Sequence, residues 1–378
     1  MDEAGNSLGS AEVSSSLARK RVTKQQKVET TEKLKVTAET LSSWHAKVNE
    51  KNWQKALSDA QEGAKQGLHG AAPLFCTLFQ KGKGILDGLL LASDLIYSDE
   101  VGLKLIARSI INSALEQGAG ANLVFALAVE LIAKTSLSEK KEGLLLLTEL
   151  ARRDMGQDEL FTLGESIESR DQSICLAQLD LFIELVSQKK IQAYPFSLKL
   201  AQKSVKARDL TIRAKGFVLA RALVRNGYAL QEAETMALSV CKSALWQDLS
   251  KGLDLLGEVV TNGGRVNESA LAFAREGVNH SSPQVKEEAI GLFYTFIQKE
   301  VSFKEGDLIA EGIKAAEEGM KGKKTASLSI DLFTQIVKEG AGSKEAEAAI
   351  DLFKKNFPWE TAKLKKLEEE LAALKPGV

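Results

Sequence analysis

The side chains best suited to acid–base or metal chemistry are few and scattered in this chain. The three histidines, His45, His69 and His280, are far apart in the sequence, and His280 lies in a turn between Asn279 and Ser281. A general base or a zinc site needs such side chains grouped with partners at short, regular spacing. We therefore predict no catalytic residue, no metal site and no cofactor, and we expect His280 to cap a turn or face solvent.

Motifs that bind phosphate or activate a nucleophile are missing as well. No GxGxxG, Walker A or GxSxG pattern occurs, and Gly82 and Gly84 are not followed by the Lys-Ser/Thr of a phosphate-binding loop. We interpret these two glycines as helix breaks. The sequence therefore predicts that the protein is not an enzyme and has no small-molecule substrate.

Net charge, cysteine content and apolar stretches indicate the cellular compartment and the classes of partner that we expect. The formal net charge is −1 at pH 7, which gives no overall preference for nucleic acid or an anionic membrane. Cys76, Cys175 and Cys241 are odd in number and lie far apart, so we expect reduced, buried thiols in a cytoplasmic protein. The longest apolar stretch, residues 121–133, is shorter than the roughly 20 residues that span a bilayer.

The elements that must carry any functional surface show a repeated apolar pattern. A leucine is followed four and five residues later by two further apolar residues, and the pattern returns after 38, 36, 37 and 40 residues. It comprises Leu181 with Leu185 and Val186, Leu219 with Leu223 and Val224, Leu255 with Val259 and Val260, Leu292 with Phe296 and Ile297, and Leu332 with Ile336 and Val337. A period in this range predicts a stack of helical hairpins.

Helical segments with short breaks follow one another from residue 85 onward. The breaks contain glycine and asparagine, as at 226–227 and 262–264, and no run alternates long enough at the two-residue period of a strand. The predicted segments are 85–97, 101–116, 120–134, 139–152, 157–168, 173–188, 193–206, 210–226, 230–243, 247–261, 266–278, 284–299, 304–319, 324–338 and 343–355.

Three regions follow from these patterns. We predict a disordered or polar N-terminal segment over residues 1–43, an α-solenoid repeat domain over 44–358, and a C-terminal capping helix with a tail over 359–378. The last region carries an apolar stripe of Leu364, Leu367, Leu371 and Leu374. A docking helix for a partner is the alternative interpretation of that stripe.

One junction resembles a known repeat family. Residues 282–289 read Ser-Pro-Gln-Val-Lys-Glu-Glu-Ala and are followed by the apolar Leu292. This resembles the start of the second helix in HEAT repeats, which favours Asp-Pro-x-Val-Arg-x-x-Ala. Ser282 is then expected at the N-cap and Pro283 at the first helical position, where proline loses no needed hydrogen bond.

The resemblance is clear for about residues 170–340 and faint for 85–170, and armadillo repeats are an alternative subtype. Segments 209–213 and 171–174 resemble the same motif without its proline. The resemblance implies an all-α fold: a right-handed α-solenoid of stacked antiparallel helix pairs (HEAT/ARM-like) with about 36–40 residues per repeat. In arrays of this kind the second helices line the concave side.

Side chains beside the core stripe of the second helices are the predicted contact residues. They vary in charge and shape from repeat to repeat while the core positions stay apolar, which is typical of a surface that faces a partner or solvent. Together with residues of a basic stretch they form the predicted partner-binding set: Glu184, Gln188, Lys199, Lys203, Arg221, Arg225, Glu258, Asn262 and Lys299.

The basic stretch covers residues 189–225 and contains ten basic residues and one acid. Lys199 and Lys203 share one helical face, and Arg221 and Arg225 share another on the next helix. Such a zone suits an acidic peptide, a phosphorylated segment or nucleic-acid phosphates. The alternatives, a solvated basic surface or two sets on opposite sides of the array, stay open at this point.

The sequence thus favours a non-catalytic scaffold or adaptor that binds another protein, or an acidic peptide segment, through its concave helices. Two alternatives are kept. One is nucleic-acid binding through residues 189–225, which predicts an affinity that falls steeply with added salt. The other is a secreted effector that uses its serine-rich start as a non-classical export signal and binds a host protein.

Overall fold

The computed structural model describes residues 36–155, 159–303, 307–358 and 361–374. Within these ranges the secondary structure consists of nineteen α-helices and two short 3₁₀-helices, without a β-strand. The chain divides into two compact units, Met1–Ala177 and Gln178–Val378. The prediction of an all-α fold is confirmed.

The first unit is built from helix pairs joined by short loops. Helices α2 and α3, α4 and α5, and α6 and α7 pack as antiparallel pairs. The helices are α1 (Ala38–Trp44), α2 (Trp53–Lys65), α3 (Ala71–Gln80), α4 (Ile85–Leu95), α5 (Val101–Glu116), α6 (Ala121–Ala133), α7 (Leu137–Arg152), α8 (Glu159–Glu165) and the beginning of α9 (Gln172–Ser187).

The second unit continues with the same arrangement. The pairs are α10 with α11, α12 with α13, α14 with α15, and α16 with α17. After the end of α9 and a 3₁₀-helix (Ile191–Ala193) come α10 (Tyr194–Ser204), α11 (Leu210–Arg225), α12 (Leu230–Cys241), α13 (Trp246–Thr261), α14 (Glu268–Val278), α15 (Pro283–Gln298), α16 (Leu308–Met320), α17 (Ala326–Lys338), α18 (Ser343–Asn356), a 3₁₀-helix (Thr361–Leu364) and α19 (Lys365–Leu374).

The repeated apolar pattern forms the core of the second helices, as predicted. Leu181, Leu219, Leu255, Leu292 and Leu332 occupy the corresponding position of α9, α11, α13, α15 and α17, and each is at most 1% exposed. The two apolar residues that follow each leucine are buried as well. Burial of this stripe stabilises the second helices by about 25 cal/mol for each Å² of apolar surface that is removed from water.

The same apolar pattern is buried in helices of the first unit. Leu74 with Leu78 and Phe79 in α3, and Ile110 with Ala114 and Leu115 in α5, are buried at the same spacing as the leucine sets. The set in α7 is Leu146 with Leu150 and Ala151. The set in α3 extends the period into the part of the predicted repeat domain before residue 85, where the sequence shows no clear resemblance to HEAT repeats. Alanine or phenylalanine replaces an aliphatic side chain in these sets, which hid the period.

Glycines lie where the two helices of a pair cross. They are Gly143 in α7, Gly216 in α11, Gly252 in α13, Gly277 in α14 and Gly319 in α16. A Cβ atom at Gly216 would lie 2.7 Å from Cβ of Ser204 and 2.9 Å from the backbone nitrogen of Val205. Side chains do not pack at such distances. The crossing glycines therefore set how closely paired helices approach.

Helix starts confirm part of the predicted motif. Pro283 is the first residue of α15 and Ser282 occupies the N-cap, but the Ser282 side chain makes no capping hydrogen bond. Instead, Nδ1 of His280 accepts a hydrogen bond from the Ser282 N–H at 3.0 Å, which fits the expected turn role of His280. At α11 the Asp209 carboxylate accepts from the Ile212 N–H at 2.9 Å.

The C-terminal stripe is mostly buried. Leu364, Leu367 and Leu371 are at most 5% exposed, whereas Leu374 is 43% exposed. Helix α19 packs on α17, as a helix that covers the end of an apolar layer does. The predicted boundaries of the three regions stay a prediction, and most of the N-terminal one lies outside the described residues.

Two further expectations concern membrane and redox chemistry. No described helix is long and apolar enough to cross a membrane. The three cysteines are free thiols, but only Cys241 is buried, while Cys76 and Cys175 are half-buried. The prediction of buried thiols is thus wrong for two of them, because both lie near helix surfaces rather than on the core stripe.

Candidate partner-binding face of the second unit

The second helices of the second unit form one continuous layer. Helix α11 packs on α13, α13 on α15, α15 on α17 and α17 on α19, whereas the first helices of successive pairs contact each other less. This layer is the one expected on the concave side of a HEAT-like stack. We call the solvent-facing positions of α11, α13 and α15 the inner surface: Val218, Arg221, Arg225, Lys251, Asp254, Glu258, Glu288, Gly291 and Thr295.

Three of the predicted contact residues lie together on the inner surface. Arg221 on α11 donates to the carboxylates of Asp254 at 2.8 Å and Glu258 at 2.9 Å on α13. Arg225 donates to the same Glu258 carboxylate at 2.5 Å. Burial raises the pKa of Glu258, but the hydrogen bonds from Arg225 and Arg221 outweigh this and hold the pKa below its ordinary value. Glu258 is therefore ionised at neutral pH.

A deeper ion pair joins the same two helices. Nη1 of Arg213 on α11 donates to Asp248 on α13 at 3.0 Å, and Ser243 donates to the same carboxylate at 2.8 Å. The Arg213 and Asp248 side chains are only 15% and 9% exposed. On its other side, α11 contacts α9 through an ion pair between Lys215 and Asp180. Helix α11 is thus tied to both neighbours by its basic residues.

The remaining residues predicted on the second helices have local partners or lie at the helix ends. Gln188 follows the last residue of α9, and its side-chain Nε2 lies 3.5 Å from the carboxylate of Glu184 on that helix. Asn262 caps α13 by donating from Nδ2 to the Glu258 carbonyl at 2.8 Å. Lys299 is the exposed C-cap of α15.

The basic stretch divides between two helix layers. Lys199 and Lys203 are exposed on α10, which is a first helix, while Arg221 and Arg225 lie on the second helix α11. Four of the ten bases, Arg213, Lys215, Arg221 and Arg225, are paired with acids. The stretch is therefore not one basic patch, which was among the alternatives that the sequence left open.

An asparagine that the prediction did not include connects two repeats. Nδ2 of Asn226, the C-cap of α11, donates to the carbonyl of Val186 near the end of α9 at 2.9 Å. It also lies 2.9 Å from the Ala222 carbonyl of its own helix. The asparagine-glycine at 226–227 marked a helix end in the sequence, but only the register of α9 against α11 shows that the side chain reaches the next repeat.

The junction between α13 and α15 carries like charges. Glu288 on α15 is half-buried and makes no hydrogen bond or ion pair within the described ranges. Burial raises the pKa of its carboxyl group to about 7, and the negative charge of Asp254 on α13 adds to the rise. Lys251 and Arg221 act in the opposite direction, and Glu287 beside it adds further negative charge.

We expect Glu288→Gln to remove a pH dependence of stability. The raised pKa means that the folded protein binds a proton at Glu288 more tightly than the unfolded chain does. The contribution of protonated Glu288 to the free energy of unfolding is therefore fully present below the ordinary pKa of 4.5 and is lost as pH rises through about 7. Screening by water limits the loss to about 1–2 kcal/mol. Urea midpoints at pH 5 and pH 8 measure it. The wild type should lose more stability over this interval than the variant; equal losses contradict the assignment.

The described residues show no grouping suited to metal binding. No three His, Cys, Asp or Glu side chains within ranges 36–155, 159–303, 307–358 and 361–374 converge in a way that could hold an ion. The chemistry available on the inner surface is hydrogen bonding, charge pairing and apolar contact. Absence of catalysis stays a prediction.

Comparison with known proteins identifies the fold. The sequence matches no protein-family model and no curated protein. Solved structures do match. The Escherichia coli protein YibA is 10% identical with a TM-score of 0.53 and covers 92% of this chain and 99% of its own. An engineered protein is 13% identical with a TM-score of 0.51, and the match covers 90% of this chain and 95% of that one.

Yeast importin-beta (Kap95p) is a third similar structure. It is 10% identical with a TM-score of 0.56, and the match covers 95% of this chain but 57% of importin-beta. A structure of Kap95p binding to RanGDP matches with a TM-score of 0.57 at 10% identity, over 89% of this chain and 47% of that chain. This chain therefore spans about half the length of importin-beta. The likeness shows the fold, a HEAT/armadillo-like α-solenoid.

Proposed function

We propose that this protein is a non-catalytic scaffold or adaptor that binds another protein through the inner surface of its second unit. The observation that carries the proposal is the difference between the core positions and the solvent-facing positions of α11, α13 and α15. Their core positions repeat, while their solvent-facing positions present a different mixture of apolar, basic and acidic side chains in each repeat. A surface of this kind distinguishes between partners without changing the fold beneath it.

The physical character of the inner surface supports a protein partner. Val218 is 49% exposed on the helix that carries Arg221 and Arg225, and the Arg225 side chain is 58% exposed. Interfaces use such combinations of apolar contact and arginine. The similar Kap95p structure is described in complex with RanGDP, a protein. A partner segment with acidic side chains suits the exposed edge formed by Arg225.

Nucleic-acid binding through residues 189–225 is less favoured. Arg213, Lys215, Arg221 and Arg225 already contact carboxylates, so they offer less uncompensated positive charge to phosphates. The exposed Lys199 and Lys203 lie on the other helix layer. Export through the N-terminal segment concerns residues outside the described ranges.

A matched pair of substitutions tests the proposed surface. The partner is first identified by proximity cross-linking in the native cell and mass spectrometry, and its affinity is then measured with purified proteins. We expect Val218→Arg to weaken binding at least about tenfold, because it places a long charged group where the partner packs. Ile191→Arg changes a side chain that is 70% exposed outside the second helices and should leave the affinity unchanged.

Both variants should keep the far-ultraviolet circular dichroism of the wild type, since neither residue belongs to the core. Equal affinity of all three proteins for the partner would overturn the placement of the binding surface. Failure of the wild type to bind any cross-linked protein directly would overturn the proposed function itself.

A further inference from the structure

A cleft lies at the C-terminal ends of α13 and α15, at one end of the inner surface. It has a volume of about 520 Å³ and lies between the loop that leads from α13 to α14 and residues 299–302, which follow α15. Its polar lining consists of Thr261, Arg265, Lys299 and Ser302, and Val260, Val266 and Val301 supply its apolar walls. We call it the Lys299 cleft.

The charge of the Lys299 cleft is positive. Among the described residues, its lining contains Lys299 and Arg265 and no acidic residue. Neither cation makes an ion pair or a side-chain hydrogen bond within the described part of the chain, in contrast to Arg213 and Arg221. A lysine at the end of α15 also complements the helix dipole. That role does not explain Arg265, which lies four residues beyond the end of α13.

The Lys299 cleft also offers hydrogen-bond donors to a ligand. The hydroxyl groups of Thr261 and Ser302, and the backbone N–H groups of Arg265, Val266 and Ser302, have no partner among the described residues. The helix ends, by contrast, are already capped. The N–H groups of Gly263, Gly264 and Val301 donate to carbonyl oxygens of the last turns of α13 and α15 at 2.8–3.0 Å.

Two cations, unpaired hydroxyl groups and unpaired backbone N–H groups suit an anion with several acceptor oxygens. A phosphate monoester carries close to two negative charges at pH 7 and three strong acceptors, which matches the two cations better than a single carboxylate does. The volume exceeds that of a free phosphate and falls in the range of ligand pockets, roughly 300–1,000 Å³. The valine walls suit the aliphatic part of an attached residue.

We propose that the Lys299 cleft binds a phosphorylated serine or threonine side chain of the partner protein. The proposal rests on the proposed function, since Thr261 lies one turn beyond Glu258 of the inner surface. A partner that crosses α11 and α13 would reach the cleft with the next part of its chain. Phosphorylation of the partner would then control how tightly it binds.

The test uses small probes and the full chain. Binding of N-acetyl-phosphoserine N-methylamide and, in parallel, of inorganic phosphate is followed by ³¹P NMR at physiological salt. Binding of the unphosphorylated amide is followed by a saturation-transfer NMR experiment. We expect the phosphorylated probe to bind the wild type, the unphosphorylated one not to bind, and inorganic phosphate to bind more weakly. In the double variant Arg265→Gln/Lys299→Gln the affinity should fall at least about tenfold.

The matched control is Lys199→Gln/Lys203→Gln, which removes two exposed lysines from α10 and should keep the affinity. The proposal is overturned if the wild type does not bind the phosphorylated probe at concentrations up to about 10 mM. It is also overturned if the cleft variant binds the probe as tightly as the wild type, or if the control variant loses as much affinity as the cleft variant. Phosphate binding as tightly as the probe also overturns it, because the site would then recognise a free ion. The probe needs no partner protein, so these failures are distinct from a failure of the proposed function.

Discussion

Replacing Arg213 by methionine should destabilise the second unit by about 3 kcal/mol. The substitution leaves the Asp248 carboxylate, whose side chain is 9% exposed, with Ser243 as its side-chain partner. An uncompensated buried charge costs about 3–5 kcal/mol, and most of that cost comes from desolvation rather than from the lost attraction. The shift of the urea unfolding midpoint of the variant, followed by circular dichroism, measures the effect.

Arg225→Met provides the control for this prediction. The Arg225 side chain is 58% exposed, and Glu258 keeps Arg221 as a partner, so the cost should be at most about 1 kcal/mol. The double variant Arg213→Met/Asp248→Asn removes both charges and should recover most of the stability lost in Arg213→Met. Equal destabilisation by Arg213→Met and Arg225→Met would show that burial of Asp248 does not decide the cost.

Gly216→Ala should destabilise the protein by about 2 kcal/mol although alanine is the better helix former. The new Cβ would lie within 3.0 Å of the carbonyl carbon of Ser204 and the nitrogen of Val205, which are backbone atoms of the paired helix region. Backbone atoms cannot rotate away as a side chain does, so α10 must move off α11. Overpacking of this kind costs roughly 1–3 kcal/mol. The urea midpoint again measures it.

Gly291→Ala is the matched substitution with the opposite expected sign. Gly291 lies within α15, and a Cβ atom there would meet nothing within 4 Å. Removing a mid-helix glycine without a clash should stabilise the protein by about 0.5–1 kcal/mol. If the two substitutions had effects of the same sign, helix crossing distance would not be what Gly216 controls.

The periodic part of the fold was largely predictable from the sequence. Segment 101–116 was predicted with the bounds that α5 has, and the leucine register placed the core of α11, α13, α15 and α17. Helix α3 is not among the predicted segments, and Pro73 lies in its first turn. Proline is tolerated in the first turn, where its missing N–H has no intrahelical acceptor. Local sequence alone does not distinguish a proline in a loop from a proline in the first turn of a helix.

The candidate site was predictable only in part. Exposed positions of the second helices follow from the helical period, which is why Arg221, Arg225 and Glu258 were selected. Their mutual pairing depends on the register of α11 against α13, which joins residues 33 to 37 positions apart. The Lys299 cleft depends on two loops whose relative position no periodic pattern encodes. Of its two cations, the prediction included Lys299 and missed Arg265.

The short sequence separation of the inter-repeat bonds has a consequence for how the chain folds. Arg213 with Asp248, Arg221 with Glu258 and Asn226 with Val186 each join residues 35 to 40 positions apart. Closing such loops costs little conformational entropy, and low contact order favours rapid folding. During synthesis on the ribosome, a helix pair of the second unit can therefore pack on the preceding pair as soon as it emerges. Its apolar residues can then be buried before the C-terminal residues are synthesised.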